Sequence, residues 1–168
     1  EFRICDKTEY EKVIKPETKP ETGEIRMGEV VRLVSELTKG EAIIVTDVGQ
    51  NQMYAARYYK FTQPNSLVTS GGMGTMGFGL PAAVGAKIGC PGKSVVAFLG
   101  DGGFQMTMQE LGTILQYNIP VKMIILNNSY LGMVRQWQEM FFKKRYASTE
   151  LINPDFVIIA KGFSIPAK

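Results

Sequence analysis

The 168-residue chain contains no histidine. Ser-His-Asp and Cys-His nucleophilic machinery is thereby excluded within it, as is any His-ligated metal. Cysteine is scarce too. Cys5 and Cys90 stand apart, with neither C-x-x-C spacing nor a disulfide framework, which points to a reducing cytoplasm. Neither a signal-peptide pattern nor a bilayer-length apolar run is visible, so no membrane partner is expected. Excess charge is small at +3, with lysines and arginines interspersed among acids, so nucleic acid is not an expected partner. Acid–base chemistry must then come from carboxylates, backbone groups, a bound cofactor or another chain.

What is present suits one globular domain: the chain is 45 % hydrophobic and 21 % charged. A chain of this length buries roughly 70 % of the surface its unfolded form exposes. Residues 1–24 carry a tandem Lys-Pro-Glu-Thr (Lys15–Thr18, then Lys19–Thr22) and read as an extended linker. From Ile25 the pattern changes. Met27, Val30, Val31, Val34 and Leu37 recur at helical spacing, with Gly40 placed to end the helix. Strands are expected at 42–46, 67–69, 94–99 and 121–126, and helices at 51–59, 80–88, 104–117 and 131–142. Apolar strands alternating with helices indicate an α/β fold, a parallel sheet with helices on both faces, whose ligands bind at the carboxyl ends of the strands. The turns at 47–51, 100–103 and 127–129 fall at that edge. The chain ends in a turn-like Phe163–Lys168, which suggests a fragment of a larger enzyme, lacking an upstream part and truncated at its C-terminus.

Two turns carry chemistry. In Gly100-Asp101-Gly102-Gly103 the small residues let backbone N–H groups approach an anion, and a following helix adds partial positive charge. A carboxylate there would repel a diphosphate unless a cation lay between them, so Asp101 reads as a ligand to a hard ion such as Mg²⁺. Asn127-Asn128 follows the next strand, and an asparagine oxygen is a neutral hard ligand. Either turn alone is also ordinary turn chemistry. Gly72–Gly77 satisfies G-x-G-x-x-G, but the preceding strand is short and the next acid after it is Asp101, which argues against a dinucleotide site. Met106, Met108, Met123 and Met133 read as core filler.

Taken together, the Gly-Asp-Gly turn, a helix, an apolar strand and Asn-Asn make up the thiamine-diphosphate motif. Asp47–Met53, Gly71–Gly77, Gly100–Glu110, Asn127-Asn128, Gly132–Gln138 and Asn153–Phe156 resemble the catalytic subunit of the acetohydroxyacid synthase (acetolactate synthase) family. The resemblance spans nearly everything from Ile25 onward. It implies the thiamine-diphosphate-binding fold over residues 25–168, with thiamine diphosphate and Mg²⁺ as cofactors. Any FAD of the full-length enzyme would lie outside this domain. Asp101, Asn128 and the main-chain oxygen of Tyr130 would ligate Mg²⁺. The cofactor-binding set by resemblance is Gly49, Gln50, Asn51, Gly74, Met76, Gly100, Asp101, Gly102, Gly103, Asn128, Tyr130, Gly132 and Met133. Met76 would be the wedge that bends the cofactor, and Trp137 would shape the pocket for the second keto acid; these two are the expected catalytic side chains.

The family decarboxylates pyruvate and joins the two-carbon unit to a second 2-keto acid, in branched-chain amino-acid biosynthesis. The glutamate that activates the cofactor in this family lies on a different domain, normally of a neighbouring subunit. The implied partners are therefore pyruvate, a second 2-keto acid, and other domains and subunits of a homo-oligomer. Asn51 stands where the family commonly has histidine, and Gly103 where it commonly has serine. Two other readings accompany this one: another thiamine-diphosphate enzyme, such as a pyruvate oxidase or 2-keto-acid decarboxylase, and an inactive cofactor-binding fragment.

Overall fold

The computed structural model describes residues 2–21 and 23–168. A helical rod opens the chain: α1 (Phe2–Glu9), a π-helical turn (Tyr10–Ile14) and α2 (Lys15–Thr18). There follow α3 (Met27–Leu37), β1 (Ile43–Thr46), α4 (Gln50–Tyr58), β2 (Leu67–Val68), α5 (Gly79–Gly89) and β3 (Val95–Gly100). The rest is α6 (Asp101–Thr107), α7 (Glu110–Tyr117), β4 (Lys122–Leu126), α8 (Gly132–Phe141) and α9 (Phe156–Gly162).

The four strands are parallel, in the order β2-β1-β3-β4. Side chains alternate across a strand, and here both faces are covered, which is why β3 reads as a continuous apolar run. Val96 and Phe98 join Ile44 against Val31 of α3 and Ala55 of α4. Val95, Ala97 and Leu99 join Val45 against Leu80 and Ala83 of α5, Phe104 of α6, and Leu111 and Ile114 of α7. Gly40 closes α3 with φ +70° while its N–H donates to the Ser35 carbonyl at 3.0 Å. A Cβ at that position would lie 2.2 Å from the Lys60 carbonyl oxygen, so only glycine serves there.

The connection from β1 to β2 leaves to one side of β1, and the next strand, β3, lies on its other side. β1 and β3 are therefore neighbours whose connections diverge, and a crevice opens between their carboxyl ends. The turns at 47–51 and 100–103 flank that crevice. β3 and β4 are also paired, in register from Val96 opposite Lys122 to Gly100 opposite Leu126, which brings the turn at 127–129 alongside.

Several expectations need correction. The segment read as an extended linker is helical from Phe2 to Thr18, although its residues 1 and 22 lie outside the described residues. Pro16 falls in the first turn of α2, where its missing N–H is tolerated, and the widened π-turn precedes it. The rod also docks on the body. Thr18 is buried, Arg32 Nε donates to the Thr18 carbonyl at 2.8 Å, and the Gly28 N–H donates to Glu17 Oε1 at 3.3 Å. The helix expected at 104–117 begins at Asp101 instead, so the glycine turn is itself the first helical turn, and the chain breaks at 108–109 into α6 and α7. Met106 is exposed rather than core, whereas Met108 and Met123 do pack on the core.

Sequence patterning had not indicated α9. Asp155 caps it, its Oδ1 accepting from the N–H groups of Val157 and Ile158 at 2.8 and 3.0 Å. Phe156 then meets Phe104 edge-on, with ring centroids 5.5 Å apart. Replacing Asp155 with alanine should cost about 1 kcal/mol of stability, the ordinary worth of such a cap. A lowered urea midpoint is the expected result; an unmoved midpoint would mean that the cap contributes nothing.

Candidate functional site

Asp47 follows β1 and is fully buried. Its Oδ1 accepts from the N–H groups of Val48 at 2.8 Å and Gly77 at 3.1 Å, and its Oδ2 from that of Gly79 at 2.8 Å. The carboxylate thus ties the end of β1 to the glycine-rich loop and to the start of α5. It also abuts α6: a Cβ at Gly103 would come 2.4 Å from Asp47 Oδ1. Serine cannot replace Gly103 without displacing that carboxylate, which gives the departure at 103 a physical reason. Sequence reasoning gave Asp47 no role. The available signal was an acid placed directly after a short, buried β-branched strand.

Beyond Asp47 the backbone turns sharply at Gly49, where φ is +144°, and α4 starts at Gln50. Asn51 is 4 % exposed, and its side-chain oxygen has no hydrogen-bond partner. Gln50 reaches across the crevice, its Oε1 accepting from Asn128 Nδ2 at 3.4 Å and its Nε2 donating to Gln136 Oε1 at 3.2 Å. Gly132 makes room for this, since a Cβ there would lie 2.3 Å from Gln50 Oε1.

Asp101 opens α6 and is 2 % exposed. Its Oδ1 accepts from the Gly102 N–H at 3.0 Å, and its Oδ2 from the Ser129 N–H and from Asn153 Nδ2, both at 2.7 Å. A carboxylate offers about four lone-pair positions, so roughly one is left for a further partner. Neither Asp47 nor Asp101 has a lysine or arginine partner among the described residues. Asn128 Oδ1 accepts from the Tyr130 N–H at 3.1 Å, and Tyr130 bridges to Glu150.

These elements line one cleft, open to solvent, whose enclosed space is ≈ 90 Å³. Gly49, Gln50, Asn51, Met76, Gly100, Asp101, Gly102, Gly103, Asn128, Tyr130, Gly132 and Met133 all line it. Two expected residues do not. Gly74 sits exposed on the glycine-rich loop with φ +62°, and only Met76 of that loop enters the cleft. Trp137 is 60 % exposed on α8, stacked edge-on with Phe141 at 5.8 Å. It is neither a core anchor nor part of the cleft wall formed by this chain.

A cleft at the carboxyl edge, at a topological switch point, lined by glycines and a single acid, suits an anionic cofactor bridged by a hard cation. Residues 47–168 match the family described as thiamine pyrophosphate enzyme, C-terminal TPP binding domain. The chain belongs to this family. The domain is similar to the acetolactate synthase large subunit of Lactococcus lactis subsp. lactis, at 51 % identity over 147 residues, covering 87 % of this chain and 26 % of that protein. It is also similar to the chloroplastic acetolactate synthase 1 of Oryza sativa subsp. japonica, at 53 % identity, covering 82 % of this chain and 22 % of that protein. Among solved structures, a thiamine diphosphate-dependent 4-hydroxybenzoylformate decarboxylase of Rhodococcus jostii RHA1 superposes with a TM-score of 0.74 at 29 % identity, covering 82 % of this chain and 26 % of that one. The thiamine pyrophosphate domain thus spans about a quarter of the length of the curated relatives it matches.

Asp47 lies behind the cleft wall, and its hydrogen bonds need no ligand to explain them. Asp47→Ala would leave the N–H groups of Gly77 and Gly79 unpaired, each costing about 1–3 kcal/mol when buried. The variant should unfold at lower denaturant and be cut faster by protease within 70–78. Wild-type cleavage rates in that loop would show that Asp47 does not anchor it.

Proposed function

We propose that this domain holds thiamine diphosphate through Mg²⁺ for an acetolactate synthase, which decarboxylates pyruvate and transfers the two-carbon unit to a second 2-keto acid. The observation that carries the proposal is the convergence of the Asp101 carboxylate, the Asn128 side chain and the Tyr130 backbone on one cleft. Identities of about one half to acetolactate synthases, against 29 % to a decarboxylase, favour the synthase over other thiamine-diphosphate enzymes.

The donor set suits the cation. No group of three His, Cys, Asp or Glu capable of holding a metal occurs among the described residues. The protein side is therefore one carboxylate plus neutral oxygens, Asn128 Oδ1 and the Tyr130 carbonyl, and anionic phosphates complete the charge balance for Mg²⁺. Gly49 and Gly100 keep the backbone clear beside Asn51 Nδ2, where a diphosphate must approach closely, and Gly102 and Gly103 are assigned backbone contacts at the start of α6. The unpartnered Asn51 amide supports the same reading. Its Nδ2 lies beside the bare backbone of the cleft, 3.2 and 3.3 Å from where a Cβ at Gly49 and at Gly100 would stand, and is a donor suited to a phosphate oxygen. Gln50, Gly132 and Met133 continue the binding wall. Met76 is assigned as the wedge, a reading supported by its position in the cleft wall, with its Cε 3.9 Å from where a Cβ on Gly102 would stand. Gly74, exposed on the same loop and outside the cleft, is assigned backbone contacts to the part of the cofactor that extends beyond it.

When bound, thiamine diphosphate supplies the electron sink for decarboxylation and carboligation, and the protein binds, bends and dehydrates it. No glutamate lines the cleft. The activating carboxylate is assigned to another domain of a homo-oligomer, and any FAD to a domain outside this chain. The rod of residues 2–18 is assigned as the connection to that remainder, with residues 25–168 as the cofactor domain. The exposed Trp137 of α8 completes the second keto acid's pocket against another part of the enzyme. Exposed, unpaired Cys5 and Cys90 accord with a reducing compartment such as the cytoplasm.

Two outcomes test this in the intact protein. Asp101→Ala should abolish Mg²⁺-dependent binding of thiamine diphosphate in calorimetry, and an unchanged affinity would refute the metal assignment. Trp137→Leu should lower the preference for 2-ketobutyrate over pyruvate as second substrate by roughly tenfold, since one methylene is worth about 1–3 kcal/mol in an apolar pocket. The comparison is a competition assay with both acids. An unaltered product ratio would remove Trp137 from the pocket.

A further inference from the structure

Asn153 stands 52 residues from Asp101 in sequence and touches it directly. Its Nδ2 donates one hydrogen to Asp101 Oδ2 at 2.7 Å and the other to Asn127 Oδ1 at 2.8 Å. The orientation of this amide is determined by its neighbours. Gln105 Nε2 donates to the main-chain carbonyl of Asp101 at 3.3 Å, an atom that can only accept. The same nitrogen donates to Asn153 Oδ1 at 2.9 Å, so the Asn153 oxygen faces Gln105 and its N–H₂ faces the carboxylate.

The local sequence presents Asn153 for this task. A residue before proline is held in extended backbone, and Pro154 follows it. Upstream, the Leu131 N–H donates to the Thr149 carbonyl and the Leu151 N–H to the Ser129 carbonyl, which lays 149–151 along the 129–131 turn. Downstream, Asp155 caps α9 and Phe156 packs on Phe104 of the same helix that begins with Asp101. The four residues Asn-Pro-Asp-Phe thereby return the chain to the first turn of α6 and bind it there.

We propose that Asn153 is a positioning residue for the cation site: by bridging Asp101 and Asn127 it locks the Asp101 carboxylate so that its remaining lone pair faces the cleft. The proposal rests on the cofactor reading above, but the grip on Asp101 exists without any ligand. Loss of such a partner to a metal-binding side chain typically weakens metal affinity about 10–100-fold.

The test compares Asn153→Ala with Asp155→Ala in the intact protein. Asp155 lies in the same segment and its loss loosens α9 without touching Asp101. With thiamine diphosphate saturating, Mg²⁺ is titrated by calorimetry, and in metal-free protein the exchange of the Ser129 amide is followed. Asn153→Ala should raise the half-saturating Mg²⁺ concentration about tenfold or more and speed Ser129 exchange, while Asp155→Ala changes neither. Unchanged Mg²⁺ half-saturation in Asn153→Ala would overturn the proposal, as would equal shifts in both variants, which would make the segment merely structural. If wild-type protein shows no Mg²⁺-dependent binding yet Ser129 exchange still quickens in Asn153→Ala, the cofactor reading falls and the grip of Asn153 on Asp101 stands.

Discussion

The buried Asp47 carboxylate fixes the glycine-rich loop and the start of α5 to the end of β1, beyond the apolar packing that brings α5 onto the sheet. It receives amides from the end of β1, from the glycine-rich loop and from the first residue of α5, and it lies against Gly103 at the start of α6. These are the pieces that face each other across the switch point. A parallel sheet places strand ends side by side, but it does not by itself hold the loops beyond them at a constant distance. One side chain with two oxygens and three donors does so here. The glycine at 103 follows from it, because a Cβ there would lie 2.4 Å from Asp47 Oδ1; those at 77 and 79 are set by other neighbours, Met106 and Thr107 for the first and Leu99 and the Asp47 backbone for the second.

Charge is used sparingly around the cleft. One acid, Asp101, borders it, and that acid is surrounded by N–H donors rather than by cations. Hydrogen bonds of this kind orient a carboxylate while leaving its negative charge uncompensated, which is the condition a cation site requires. An arginine in the same position would have met the charge and closed the site. The neutral amides of Gln50, Asn51 and Asn128 add polarity without altering that balance.

The remaining surfaces are less finished than the cleft. α8 presents Val134, Trp137, Met140 and Phe141 to solvent, and no residue of that helix is fully buried. Near its start, the Arg135 guanidinium lies between the rings of Tyr130 and Tyr146, 4.2 Å from each centroid, and so ties the loop after α8 back to the cleft. Apolar side chains in such number on one helix face accord with a domain that spans about a quarter of the length of its relatives.

The sequence by itself determined the alternation of strand and helix, the parallel sheet and the edge at which the unusual turns gather. It did so because apolar runs, glycines and caps act over a few residues, where propensity and periodicity are legible. Gly-Asp-Gly and Asn-Asn pair by their resemblance to the thiamine-diphosphate motif, each turn alone being ordinary, and the pairing of β3 with β4 brings them side by side. Other features were decided only by tertiary structure. The tandem Lys-Pro-Glu-Thr reads as a tether, yet Thr18 and Glu17 find partners on α3, and those contacts outweigh the local bias of the prolines. Trp137 is assigned to the pocket by resemblance; the fold leaves it exposed, outside the core and outside the cleft wall that this chain forms by itself. Asp47, Asn153 and Gln105 act through hydrogen bonds to residues 30 or more positions distant, or across a loop whose path no local rule specifies. Such bonds depend on which strands become neighbours, and that is settled by burial over the whole sheet rather than by any segment of it.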